Sequence, residues 1–221
     1  MIYITGDTHG DVNFDKLLKL KKKNLSCEDY LIICGDAAIC WSPFNSIRFL
    51  RMYNNLGCTI LFIDGNHENF DMLEDMPLVE YKGALMHQVD KHIFHILRGE
   101  IMTLEGKTFL CLGGAVSIDK TYRTPHLSWW PQEEITYHDV DNAIANLEKV
   151  NNKVDYVITH CCDTNTVLKA FGFRRDICTD RLMFIDKVVD YKRWFFGHYH
   201  FDKKISDKKT CLYQEIIELS E

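Results

Sequence analysis

Thr59-Ile60-Leu61-Phe62-Ile63-Asp64-Gly65-Asn66-His67-Glu68 is the stretch on which the reading of this chain turns. Residues 59–63 are an apolar, β-branched run of the kind that fills a buried strand. A glycine then places an amide and an imidazole at the strand's mouth. The same layout recurs at four other places. Residues 2–5 run into Gly6-Asp7-Thr8-His9, residues 31–34 into Gly35-Asp36, residues 154–158 into Thr159-His160, and residues 194–196 into Gly197-His198-Tyr199-His200.

The segments between these runs supply the rest of a fold. Residues 13–24 carry Phe14, Leu17, Leu18 and Leu20 with lysines between them, the pattern of an amphipathic helix. Lys19, Lys21, Lys22 and Lys23 read as its solvated face. Ser42-Pro43, a capping residue and a first-turn proline, opens a helix to about residue 56. A short helix is expected at 68–76. Strand, loop and helix three times over predict a parallel sheet with helices on its faces.

Beyond residue 78 the runs shorten. Residues 93–97, 101–104 and 108–112 are expected as antiparallel strands, with Glu105-Gly106-Lys107 as a hairpin turn. Residues 113–134, with Trp129-Trp130 and two prolines, read as a long ordered loop. Helical spacing returns at 133–150 and at 180–189, residues 171–175 form a loop, and strand-like runs close the chain near 204–205 and 210–217.

A hydrophobic fraction of 46% and a charged fraction of 26% describe a folded globular chain of 221 residues, expected as a single domain over 1–221. No apolar run is long enough to span a membrane, and Met1-Ile2-Tyr3-Ile4 lacks a basic leader, so a cytoplasmic location is expected. A net charge of -6 disfavours a stable nucleic-acid partner. The nine cysteines are odd in number and contain no C-x-x-C pair, which predicts no disulfide framework. Cys161-Cys162 reads as packing rather than a soft-metal site.

Asp7, His9, Asp36, Asn66, His160, His198 and His200 all fall at strand mouths. Carboxylate, amide oxygen and imidazole suit a divalent ion such as Mn, Fe, Co, Ni or Zn. Seven candidates exceed what one catalytic ion with open positions needs, and a carboxylate can bridge, so two ions are expected. Such a pair, about 3.5–4 Å apart, holds a bridging hydroxide and clamps a phosphoryl group for hydrolysis. The remaining histidines, His87, His92, His95, His126 and His138, lack the context and read as ordinary residues.

The ordered set D-T-H-G, G-D, G-N-H-E, a lone H after a strand, and G-H-x-H resembles the calcineurin-like metallophosphoesterase superfamily over residues 7–200. That resemblance implies a four-layer αββα sandwich of mixed sheets with metals at the strand ends. It also implies that Asp7, His9 and His200 hold one ion, that Asn66, His160 and His198 hold the other, and that Asp36 bridges. His67 would protonate or orient the leaving oxygen. Protein phosphatases of the superfamily continue G-D with x-x-D-R-G, whereas Gly35-Asp36 here runs into Ala37-Ala38-Ile39-Cys40. The usual aspartate partner of His67 is therefore missing, and Asp64 or a backbone carbonyl is expected in its place.

The segment Gly113 to Lys120, with Arg123, Trp129-Trp130-Pro131 and Glu133, resembles small bacterial and phage members. Arg123 is a candidate bidentate phosphate ligand, with Arg174 and Arg175 behind it, and Asn66 is a second substrate contact. The tryptophans, Trp129 first, either stack a base or anchor the loop. The leading expectation is a phosphomonoesterase or phosphodiesterase. A nuclease or cyclic-nucleotide phosphodiesterase and a non-catalytic binding scaffold are the alternatives.

Overall fold

The computed structural model describes residues 1–219. The buried runs become strands of two mixed sheets. The first sheet holds β1 (Ile2–Thr5), β2 (Tyr30–Ile33), β3 (Thr59–Phe62), β4 (Leu78–Tyr81), β5 (Ala84–Asp90), β6 (Ile93–Ile96) and β13 (Ile216–Leu219), in the order β13-β1-β2-β3-β6-β5-β4. The second holds β7 (Glu100–Leu104), β8 (Lys107–Leu112), β9 (Lys153–Thr159), β10 (Asp190–Phe196), β11 (Lys203–Lys204) and β12 (Lys209–Cys211), in the order β11-β12-β10-β9-β8-β7.

Period-two alternation builds the layers. Ile2, Ile4, Ile32 and Leu61 of the first sheet pack against Met102, Phe109, Ile158 and Phe195 of the second, forming the central core. Tyr3, Leu31, Ile33 and Phe62 point the other way, under α1 (Leu18–Lys21), α2 (Pro43–Asn54) and α3 (Phe70–Glu74). On the far side, Leu110, Val157, Trp194 and Phe196 are covered by α4 (Tyr137–Lys149), α5 (Thr164–Phe171) and α6 (Ile177–Val188). The result is the expected four-layer αββα sandwich. Among the described residues, no helix is long and apolar enough to cross a membrane.

Several local expectations change. β6, expected as antiparallel, is parallel to β3 and antiparallel only to β5, so the hairpin strands extend the first parallel sheet. Residues 13–24 do not form a continuous helix. A 3-10 turn at Phe14–Leu17, in which Lys16 is turned inward, precedes a single α turn. α5 was not anticipated, although Asp163 caps its start and Gly172, at φ +70°, ends it. The Glu105-Gly106 turn is as read: both residues have positive φ, the geometry that joins β7 to β8 without splaying them.

Candidate metal centre

The carboxyl ends of β1, β2, β3, β9 and β10 meet along one edge of the sandwich, the usual location of sites in open α/β sheets. Asp7 and His9 follow β1. The Oδ1 atom of Asp7 accepts the backbone N–H of His198 at 2.9 Å, which leaves Oδ2 free. That Oδ2 is buried with no hydrogen-bond partner among the described residues. It lies 3.1 Å from His200 Nε2 and 3.7 Å from His9 Nε2, and the two imidazole nitrogens are 3.1 Å apart. Two donors about 2.1 Å from one ion, at right or tetrahedral angles, lie about 3.0–3.4 Å apart. An orphaned buried carboxylate oxygen facing two imidazoles, with two of the three separations in that range and the third at 3.7 Å, fits a divalent cation.

Asp36, after β2, repeats the arrangement. Its Oδ1 accepts the His67 backbone N–H at 2.7 Å, so Oδ2 alone faces inward, 3.3 Å from His160 Nε2 and 3.9 Å from His9 Nε2. Asn66 Oδ1 is 3.3 Å from the same His160 nitrogen. His160 Nδ1 is 2.7 Å from the Cys34 carbonyl, which can only accept, so Nδ1 carries the proton and Nε2 faces the carboxylates. The His198 ring packs edge-on against His160, with centroids 5.0 Å apart. Asp7, Asp36 and His160 form a second convergent donor group that shares Asp7 with the first. All seven sequence-selected donors therefore stand in one cluster, while Cys161 and Cys162 are buried free thiols outside both donor groups.

The charges demand compensation. Burial opposes ionisation of Asp36, yet the His160, His67 and His9 imidazoles outweigh it and hold its carboxyl far below the usual range. Burial likewise disfavours a charged His160, but Asp36 and Asp7 push it up to about 10. His198, buried and next to His160, falls to about 4. Positive charge here comes from a proton or from a bound cation, since metal binding to such ligands displaces protons.

The backbone is shaped around these side chains. His9, Asp36, His198 and His200 have φ of 47°, 51°, 66° and 55°, a left-handed conformation costly for non-glycine residues and concentrated at functional sites. The glycines act mainly through space. A Cβ on Gly65 would meet Asp36 Oδ1 at 2.1 Å, and one on Gly197 would meet Asp7 Oδ1 at 2.1 Å, although neither glycine has positive φ. They are needed for close approach, not for the sharp turn that a glycine before a ligand suggests.

A supporting layer went unread in the sequence. Glu68, fully buried, accepts the N–H groups of Ala37 at 2.7 Å and Ala38 at 3.2 Å, bracing the left-handed loop that carries Asp36. Asn66 Nδ2 donates to Ser117 Oγ at 3.1 Å, and Ser117 Oγ donates to the buried Glu133 at 2.6 Å. This chain fixes the amide so that its oxygen faces His160. A Glu133→Gln variant is expected to weaken metal affinity about 10–100-fold, the usual effect of disturbing an outer-shell partner. Calorimetric titration with Mn²⁺ checks it. Lys16 is buried, donates to the carbonyls of Gly6 at 2.9 Å and Asp7 at 2.7 Å and to that of Tyr213, and is lowered by burial to about 8.

The expected partner of His67 needs correction. The Asp64 carboxylate is taken by Arg98 Nε at 3.0 Å and Nη2 at 2.5 Å and by His95 Nε2 at 3.2 Å, so it does not orient His67. Arg123 Nη1 lies 3.2 Å from His67 Nδ1 instead. A guanidinium only donates, so Nδ1 accepts and the remaining ring nitrogen carries the proton. The fork of Arg123 holds Asp119, with Nε and Nη2 each 2.8 Å from a carboxylate oxygen, where a phosphate was expected. Trp130 is buried and donates to Asp71 at 2.7 Å. Trp129 is half-buried beneath Lys120, and neither tryptophan lines the cavity beside the donors.

A four-layer sandwich with acidic and imidazole donors at its parallel strand ends defines a metallophosphoesterase-type domain. The model of the calcineurin-like phosphoesterases matches residues 1–202, and the chain belongs to that family, whose common chemistry is metal-dependent phosphoester hydrolysis. Among solved structures, TT1561 of Thermus thermophilus is similar at 12% identity, covering 96% of this chain and 87% of that one with a TM-score of 0.52. The phosphopantetheinyl hydrolase PptH of Mycobacterium tuberculosis is similar at 12% identity, with 96% and 87% covered and a TM-score of 0.51. At that identity the likeness is one of fold. Comparison with curated proteins returns no match.

Proposed function

We propose that the chain is a two-metal phosphoester hydrolase acting as one domain. The observation that carries this reading is the pair of carboxylates, Asp7 and Asp36, each tied down through Oδ1 by a backbone N–H and each aiming Oδ2 at facing imidazoles. Asp7, His9 and His200 would hold one divalent ion and Asn66, His160 and His198 the other, with Asp36 available to both. Mn, Fe, Co, Ni or Zn suits this donor set. When bound, such ions supply Lewis acidity for the phosphoryl oxygens and a water of lowered pKa.

The chain's own residues do the rest. His67 borders the cavity and, with Nδ1 engaged by Arg123, presents Nε2–H to the leaving oxygen as a fixed hydrogen-bond donor. Arg123 thus serves through His67 and through its positive charge near the phosphate. The free, mostly buried cysteines suit a reducing compartment such as the cytoplasm.

Chelation should abolish turnover of p-nitrophenyl phosphate or its bis ester, and added Mn²⁺ should restore it. A His67→Ala variant should keep its metals and lose about 10²–10³-fold in kcat on esters with poor leaving groups, the scale of one lost transition-state donor. Wild-type rates in that variant contradict the role. No turnover of any phosphoester by the metal-loaded protein contradicts the function.

A further inference from the structure

We propose that the wall of the cavity beyond the metal cluster is a nucleobase subsite, so that the substrate is a nucleoside phosphate; this rests on the phosphoesterase reading above. The cavity, of about 580 Å³, opens from Asp36, Asn66, His67 and His198. A phosphoryl group fills a small part of that space, and cavities of several hundred Å³ take a whole organic ligand. Five apolar or aromatic side chains, Val116, Ile118, Val167, Phe173 and Tyr199, share the remaining wall with charged groups that include Asp176.

Phe173 is the half-exposed aromatic member. It follows α5 on an exposed loop, is 46% exposed, and has no part in the phosphoryl chemistry. Its plane is set by neighbours. Phe171 and Tyr199 stack at 4.6 Å and 19°, Phe171 and Phe173 at 5.9 Å and 10°, and Phe173 and Tyr199 at 5.9 Å and 27°. Tyr199 lies between His198 and His200, so the ring set and the metal cluster share one turn of chain. A flat ring of the ligand can extend this stack at little ordering cost.

Charge narrows the class of ring. Arg123 is paired with Asp119 and Arg175 with Asp180, whereas Arg174, which also lines the cavity, has no carboxylate partner among the described residues. A free guanidinium beside a stacking face favours a ring that carries hydrogen-bond acceptors, as purines and pyrimidines do and a phenyl group does not.

The test compares kcat/KM for adenosine 5′-monophosphate, phenyl phosphate and glycerol 3-phosphate in wild type, Phe173→Ala and Phe173→Tyr, with Mn²⁺ present. The nucleotide should be preferred over both other esters by wild type. Its preference over glycerol 3-phosphate should fall about tenfold or more in Phe173→Ala, the scale of one lost base–aromatic stack, and survive in Phe173→Tyr. An unchanged ratio in Phe173→Ala, or phenyl phosphate used as well as the nucleotide, overturns the subsite. Calorimetric binding of adenosine 5′-thiomonophosphate to the same proteins separates the two readings. Binding that weakens in Phe173→Ala without turnover of any ester sustains the subsite and refutes the hydrolase. Turnover with no nucleotide preference does the reverse.

Discussion

Asp36→Asn is expected to lower kcat by about 10²–10³-fold toward every phosphoester, the scale of removing one preorganised electrostatic contact from a catalytic site. The substitution is isosteric, so its effect isolates one atom. Oδ1 of Asp36 accepts the His67 N–H, and the asparagine oxygen would keep that bond. The amide nitrogen would then occupy the position of Oδ2 and turn N–H donors toward His160 and His9, where the carboxylate offers lone pairs. The cluster would lose both a negative charge and the carboxylate oxygen that faces His160 and His9. Circular dichroism should show an intact fold, while metal analysis should show fewer ions per chain than wild type. A variant that retained kcat within tenfold would remove Asp36 from the chemistry.

The largest effect on stability is expected from Arg98→Ala. Arg98 follows β6 and gathers parts of the fold that are remote in sequence. It pairs with buried Asp64 at the end of β3, reaches Asp139 in the first turn of α4 at 3.2 Å, and donates to the carbonyls of Gln132, Glu133 and Glu134. Removing it leaves a carboxylate that is 1% exposed with His95 as its remaining side-chain partner, and takes a donor from three loop carbonyls. Breaking one side of such a buried pair costs about 3–5 kcal/mol. For a chain of this size that lowers Tm by about 6–20 °C. Because Arg98 grips the residues flanking Glu133, the chain through Ser117 to Asn66 should loosen too. Differential scanning calorimetry checks the first effect. A Tm within about 2 °C of wild type, below the range expected for a lost buried pair, would show that Arg98 is not the clamp described.

The parallel core and the donor cluster were legible in the sequence for one reason. A buried parallel strand is an unbroken apolar run, and the residue that leaves it must stand at the sheet's carboxyl edge. Five such runs ended in metal-capable side chains, so Asp7, Asp36, Asn66, His160 and His198 carried their location with them. The supporting layer had no such signal. Glu68 looked like the start of a helix because its task, accepting the Ala37 and Ala38 amides, depends on a loop some thirty residues upstream. Arg98 reads locally as a charge at a strand end, and nothing near it in the chain points to Asp64. Lys16 broke the amphipathic reading of 13–24 because its partners are carbonyls, which leave no trace in a sequence. The partner of His67 was misread for a related cause. Arg123 reaches it from a loop whose path follows from packing, not from pattern.

We propose that Asp36 would serve both of the divalent ions this site is built to take, and that sharing is open to direct measurement. Electron paramagnetic resonance of the Mn²⁺-loaded protein, with metal content measured on the same sample, tests it most directly. Two Mn²⁺ per chain with the exchange-coupled spectrum of a bridged pair are expected, with loss of that coupling in Asp36→Asn. A single uncoupled Mn²⁺ per chain in wild type would contradict the bridge.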